Sequence, residues 1–148
     1  MEIIQNTRMS AVLIHLIEIW RPYFEIDGIT EISVNKPKEV ILEIKGEFDI
    51  RQDDRITAEF LMDFCKALAS YRNLHFTLNV PHLSCSIPNT NIRVQAQHPS
   101  ISVSNELALS MRVPSKTIFP ITAFKLNDNL GFDYEDIKQF IIQRKNIL

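Results

Sequence analysis

Two arginines are the residues of this 148-residue chain best placed to do chemistry. Arg93 lies in the run Asn91–Gln97, where Ile92, Val94 and Ala96 alternate with Arg93, Gln95 and Gln97. Arg112 lies in Leu107–Val113, where Leu107, Leu109, Met111 and Val113 alternate with Ala108, Ser110 and Arg112. Side chains two apart share one face of a strand, so each arginine falls on the polar face. If the two strands are neighbours, two guanidiniums project from one surface. Like charges that close are unfavourable unless carboxylates or an anionic ligand compensate, and the planar guanidinium fork suits phosphate oxygens. Spacing alone leaves two readings open: a solvated surface pair or an anion contact.

Other chemistries find less support. A phosphate loop needs clustered glycines and a lysine, but the chain has three scattered glycines and no GKT or GKS. His75, His82 and His98 share no helical or hairpin interval that would make them metal ligands. His82 and Cys85 lie three apart, with no orienting Asn or Asp in a motif around them, so a nucleophilic pair is not indicated. Cys85 between Ser84 and Ser86 reads as a small thiol packed in a strand. The acidic pairs Asp53-Asp54 and Glu135-Asp136 precede or open helices, where carboxylates favour the positive end of the dipole.

The elements that must position the arginines follow from periodicity. Ser10 caps an apolar helix beginning AVLIHLIEIW, which is too short to span a bilayer, a task for about 20 residues, and lacks the basic start and cleavage site of a secretory signal. Ile29–Asn35 alternates as a strand, Asn35–Lys38 turns around Pro37, Val40, Leu42 and Ile44 mark a second strand, and Gly46 permits a tight turn into Phe48. Thr57 opens a helix, stapled by Ile56 and Leu61, with Phe60, Leu61, Phe64 and Leu68 along one stripe. Leu83–Ile87 is a short strand closed by Pro88-Asn89. Asp133 caps a last helix with Phe132 and Ile137 as staple and Ile137, Phe140 and Ile141 as stripe. The predicted fold class is α+β: a curved, mainly antiparallel sheet with helices packed on it.

The composition fits one soluble globular domain. Hydrophobic residues make up 45% and charged residues 23%. Sixteen basic against eighteen acidic side chains give a net charge of −2, which argues against a nucleic-acid binder or an anionic-membrane binder. Two cysteines make no disulfide framework, so a reducing compartment is expected. The one seam read from composition is Asn127–Gly131.

Three segments together resemble a known family. PHLSCSIPNTNIRVQ, followed by ELALSMRVPSKTIFP, resembles the "P-x-L-S-x-x-L-P-x-G-x-R-V-Q" and "S-I-R-x-P-S-K" strands of the N-terminal domain of hexameric traffic ATPases of type IV secretion systems, the VirB-type members of the secretion-ATPase superfamily. ITEISVNKPKEVILEIKGEF resembles the family's preceding hairpin. The order is right, and the match covers roughly residues 26 to 126. The family's glycine before the first arginine is absent, and Ile87–Ile92 is one residue longer. The ending Gln143–Leu148 resembles the strand that leads into the family's phosphate loop.

The resemblance implies a division into residues 1–126, a nucleotide-capping and ring-forming N-terminal domain, and residues 127–148, a linker helix and the start of an ATPase domain missing from this chain. It implies that Arg93 and Arg112 reach the phosphates of ATP, with magnesium in the longer protein, and that Lys116 adds a contact at the same mouth. No cofactor and no catalysis are expected of this chain alone. The implied partners are its own C-terminal ATPase domain, neighbouring subunits of a homo-hexamer and other inner-membrane secretion components. The implied location is the cytoplasmic face of the bacterial inner membrane. A rival reading is a stand-alone interaction module that binds secretion components without touching nucleotide.

Overall fold

The computed structural model of the chain describes residues 9–115, 120 and 133–142. The chain divides into two compact units, Met1–Ser115 and Lys116–Leu148. The expected seam at Asn127–Gly131 lies outside the described residues.

The first unit is a six-stranded, wholly antiparallel sheet in the order β3-β2-β1-β6-β5-β4, with helices α1 and α2 on one face. The strands are β1 (Ile29–Lys36), β2 (Glu39–Ile44), β3 (Glu47–Gln52), β4 (His82–Ser86), β5 (Arg93–Gln97) and β6 (Ala108–Arg112). The helices are α1 (Ala11–Phe24) and α2 (Ala58–Tyr71). This is the expected α+β class.

Local chemistry sets each boundary. Ser10 accepts from the Leu13 amide at 3.1 Å and Thr57 from the Phe60 amide at 3.1 Å, so both helices begin on a hydroxyl cap. Both members of the Ile56/Leu61 staple are fully buried. Gly46 takes φ of +85° in the β2–β3 turn, a conformation that costs glycine little. Asn89, in the turn before β5, takes φ of +58°. Asparagine tolerates that region better than most side chains.

The core lies between the helices and the sheet. Ile32, Val34, Val40, Leu42, Leu83, Val94, Ala96, Leu109 and Met111 face Leu13, Leu16, Trp20, Phe60, Phe64 and Leu68. A bulge at Thr30 shifts the β1 register between Ile29↔Ile44 and Glu31↔Glu43. It explains how Ile29 and Ile32, an odd number apart, are both buried. Among the described residues of this unit, no helix covers the other sheet face.

A polar cluster ties the sheet to α1. Tyr23 donates its hydroxyl to Asp53 at 2.6 Å, and Arg55 donates to the same carboxylate through Nε at 2.9 Å and Nη2 at 2.7 Å. Asp53 therefore anchors rather than caps; the cap of α2 is Thr57. The Arg55 guanidinium, aided by the Tyr23 hydroxyl, holds the Asp53 carboxyl well below the usual carboxylate range. Burial, reinforced by Asp53, pushes the Tyr23 phenol up to about 12. A lowered carboxyl pKa stabilises the fold above the unfolded value, near 4, and that stability is lost as pH falls. Tyr23→Phe removes the shared hydroxyl and is expected to lose about 1–2 kcal/mol near pH 7, from the typical worth of a hydrogen bond to a charged group. Urea unfolding at pH 7 and pH 3 checks this: the gap between wild type and Asp53→Asn should shrink at the lower pH.

The second unit contributes one described helix, α3 (Tyr134–Ile142). Asp133 accepts from the amides of Glu135 at 2.8 Å and Asp136 at 3.0 Å, and Asp136 accepts from the Asp133 amide at 2.9 Å. This is a reciprocal capping box built from aspartates. The expected staple residue Phe132 lies outside the described residues. Ile141, assigned to the buried stripe from sequence, is 61% exposed.

Candidate functional site

The sheet brings the two arginines together. Arg93 and Arg112 are directly opposed partners across β5 and β6. The same row runs over most of the sheet: Ser86 opposes Arg93, Arg112 opposes Glu31, and Glu31 opposes Glu43. Both arginines lie on the face away from the helices, because Val94 and Met111 beside them point into the core. Between them opens a pocket of about 430 Å³, lined by Ser86, Asn91, Arg93, Arg112 and Pro114.

Strand register explains the pairing. The alternation of β5 places Arg93 outward at its first residue, and that of β6 places Arg112 outward at its last. Antiparallel packing then sets the start of one strand beside the end of the other. Arg72, at the end of α2, donates to the Ser86 carbonyl through Nε at 3.2 Å and Nη2 at 2.9 Å. That contact fixes the end of β4 at the rim of the pocket.

The electrostatics of the row are unusual. Directly opposed like charges destabilise a sheet by a few tenths to about 1 kcal/mol. Among the described residues neither guanidinium forms an ion pair or a hydrogen bond. The carboxylate nearest in register, Glu31, turns along the strand instead. Its Oε1 accepts from Ser110 at 2.9 Å and from Ser33 at 3.0 Å. Two exposed forks thus stand side by side with donors that no described protein group takes, an arrangement suited to an oxyanion with several oxygens.

Lys116 lies outside the described residues. His82 and Cys85 lie three positions apart on β4 and so occupy opposite faces of it, which keeps them from pairing. Burial pushes the Cys85 thiol up, away from a reactive thiolate. The Cys65 thiol, in the core, is pushed up to about 12. No group of three metal-ligating side chains occurs among the described residues, and none of the described helices is long and apolar enough to cross a membrane. Sequence reasoning missed Glu31, Ser33 and Ser110. Their polar-face parity was legible, but their meeting depends on β6 lying beside β1.

No protein-family model matches the chain. Among curated proteins it is 27% identical over 123 residues to the type IV secretion system protein PtlH of Bordetella pertussis, covering 83% of this chain and 35% of that protein. It is 24% identical over 111 residues to the type IV secretion system protein VirB11 of Bartonella henselae, covering 75% of this chain and 31% of that protein. Among solved structures it is similar to the VirB11 ATPase of the Brucella suis type IV secretion system, solved in complex with sulphate. That likeness has a TM-score of 0.70 and 20% identity, and covers 90% of this chain and 44% of the other. The chain spans about a third of the length of the curated relatives it matches. Relatives and fold agree with the resemblance carried by the strand motifs: the chain is similar to VirB11-like proteins of type IV secretion systems over most of its length.

Proposed function

We propose that this chain is the N-terminal domain of a type IV secretion ATPase, capping nucleotide held by a C-terminal ATPase domain. Arg93 and Arg112 meet the phosphates of ATP, charged with magnesium, from across a cleft. Lys116 supports the same mouth. The observation that carries the reading is the directly opposed arginine pair, without an acidic partner among the described residues.

In this role the arginines neutralise charge as the terminal phosphoryl transfers, and sense its departure. Hydrolysis then couples to rigid-body movement of the domain about the segment 126–133. The domain forms one tier of a homo-hexameric ring and works with other secretion components at the cytoplasmic face of the inner membrane. The chain alone hydrolyses nothing; the activity belongs to the longer protein.

The phosphate reading is tested on the chain as it stands. Inorganic tripolyphosphate titrated by calorimetry at low salt should bind in the millimolar to high-micromolar range, as expected of an open two-arginine site. Arg93→Ala/Arg112→Ala should remove the binding. Equal binding by the double variant would transfer the interest to another surface.

One observation favours the rival interaction module. Phe48 and Ile50 on edge strand β3 are 76% and 60% exposed, both on the helix-free face. A module working through that strand predicts that Phe48→Ser/Ile50→Ser abolishes secretion while ATP turnover persists.

A further inference from the structure

We infer that Ser33 and Ser110 form a clamp that holds the Glu31 carboxylate off Arg112, and that Glu31 is a positioning residue setting the anion affinity of the arginine pair. The inference rests on the phosphate reading given above.

Glu31 and Arg112 are directly opposed across β1 and β6. A glutamate and an arginine in that relation ordinarily close a cross-strand ion pair, worth up to about 1 kcal/mol. Here they do not. Oε1 of Glu31 is taken by two hydroxyls, Ser110 at 2.9 Å and Ser33 at 3.0 Å. Ser33 and Ser110 are themselves opposed partners, one step along the same face. The two donors therefore sit side by side and pull the carboxylate toward their own row. All three side chains are partly buried, which strengthens such bonds relative to exposed ones.

The consequence concerns the arginine. With Glu31 clamped, the Arg112 fork keeps its donors for an incoming oxyanion. Released, Glu31 competes for the same donors as an internal carboxylate. The carboxylate also remains close enough to repel an anion through its charge, a modest effect at a solvated surface. The arrangement tunes the site toward weak, exchangeable binding, which suits a phosphate chain that must leave after each turnover.

Two opposite substitutions separate the roles of charge and clamp. Glu31→Gln removes the competitor and should tighten tripolyphosphate binding by about threefold to tenfold, the size of one screened charge at close range. Ser33→Ala/Ser110→Ala frees the carboxylate and should weaken binding by about threefold or more, up to the strength of a cross-strand ion pair. The decisive variant combines all three changes. With no carboxylate to release, the serine substitutions should then cost nothing relative to Glu31→Gln alone.

Calorimetric titration of tripolyphosphate into the full chain, with thermal melts to confirm folding, reads the wild type and every variant. Ser33→Thr/Ser110→Thr keeps the hydroxyls and should bind as wild type. Weakening by Ser33→Ala/Ser110→Ala that persists in the Glu31→Gln background overturns the clamp, since the serines then act without Glu31. Unchanged affinity in Ser33→Ala/Ser110→Ala, while Arg93→Ala/Arg112→Ala abolishes binding, also overturns it and leaves the phosphate reading intact. Binding indifferent to both arginines overturns the phosphate reading itself.

Discussion

Arg112→Ala, in a protein that joins this chain to an ATPase domain as proposed above, is expected to lower ATP turnover by about 10³-fold, the range for arginines that stabilise a transferring phosphoryl group. The loss should fall on kcat more than on KM, because the charge being met grows in the transition state. Stability should move the other way or not at all. The Arg112 guanidinium forms no ion pair among the described residues and faces another positive charge across the strand. Removing it relieves a repulsion of a few tenths to about 1 kcal/mol. A variant that melts at or above the wild-type temperature and yet barely turns over ATP separates function from folding. Steady-state kinetics beside a thermal melt reads both, and unchanged turnover removes Arg112 from the site.

The second large effect concerns the platform beneath the arginines. Trp20, the chain's single tryptophan, is completely buried among Tyr23, Phe60 and Phe64, with ring centroids 5.9, 5.6 and 5.8 Å away. Trp20→Ala leaves a large void in the seam between α1 and α2 and is expected to cost about 3–5 kcal/mol. Stability of a small domain is about 5–15 kcal/mol in total, so this is a substantial fraction. Trp20→Phe should cost far less, and the reason is specific. The indole Nε1 is buried without a hydrogen-bond partner among the described residues, and such a donor carries a desolvation cost of about 1–3 kcal/mol. Phenylalanine loses some packing but also removes that cost. Urea unfolding followed by far-ultraviolet circular dichroism gives both numbers. A Trp20→Ala variant within about 1 kcal/mol of wild type would mean that the two helices are not held by this ring.

Much of the scaffold was legible because its signals are local. The hydroxyl caps at Ser10 and Thr57, the staple of Ile56 and Leu61, and the alternation around Val94 and Met111 each lie within a few residues of sequence. The opposed arginines were legible conditionally, since parity fixed their face while adjacency of β5 and β6 had to be assumed. The insertion of β6 between β1 and β5 carries no local signal, because it pairs residues about eighty positions apart, such as Glu31 and Arg112. For that reason the serine clamp was invisible in sequence. Asp53 misled for a related reason: its position before α2 suggested a cap, whereas its partner Tyr23 comes from a helix thirty residues earlier. The stripe of α3 was read from periodicity, yet periodicity cannot say which neighbour covers Ile141.

The central claim is that these two forks touch a phosphate chain held by another domain. The most direct test is an experimental structure of the longer protein with a non-hydrolysable ATP analogue and magnesium. Guanidinium nitrogens of Arg93 and Arg112 are expected within about 2.7–2.9 Å of phosphate oxygens, the distance of charge-assisted hydrogen bonds. Phosphates enclosed by the ATPase domain alone, with both arginines facing water, would contradict it.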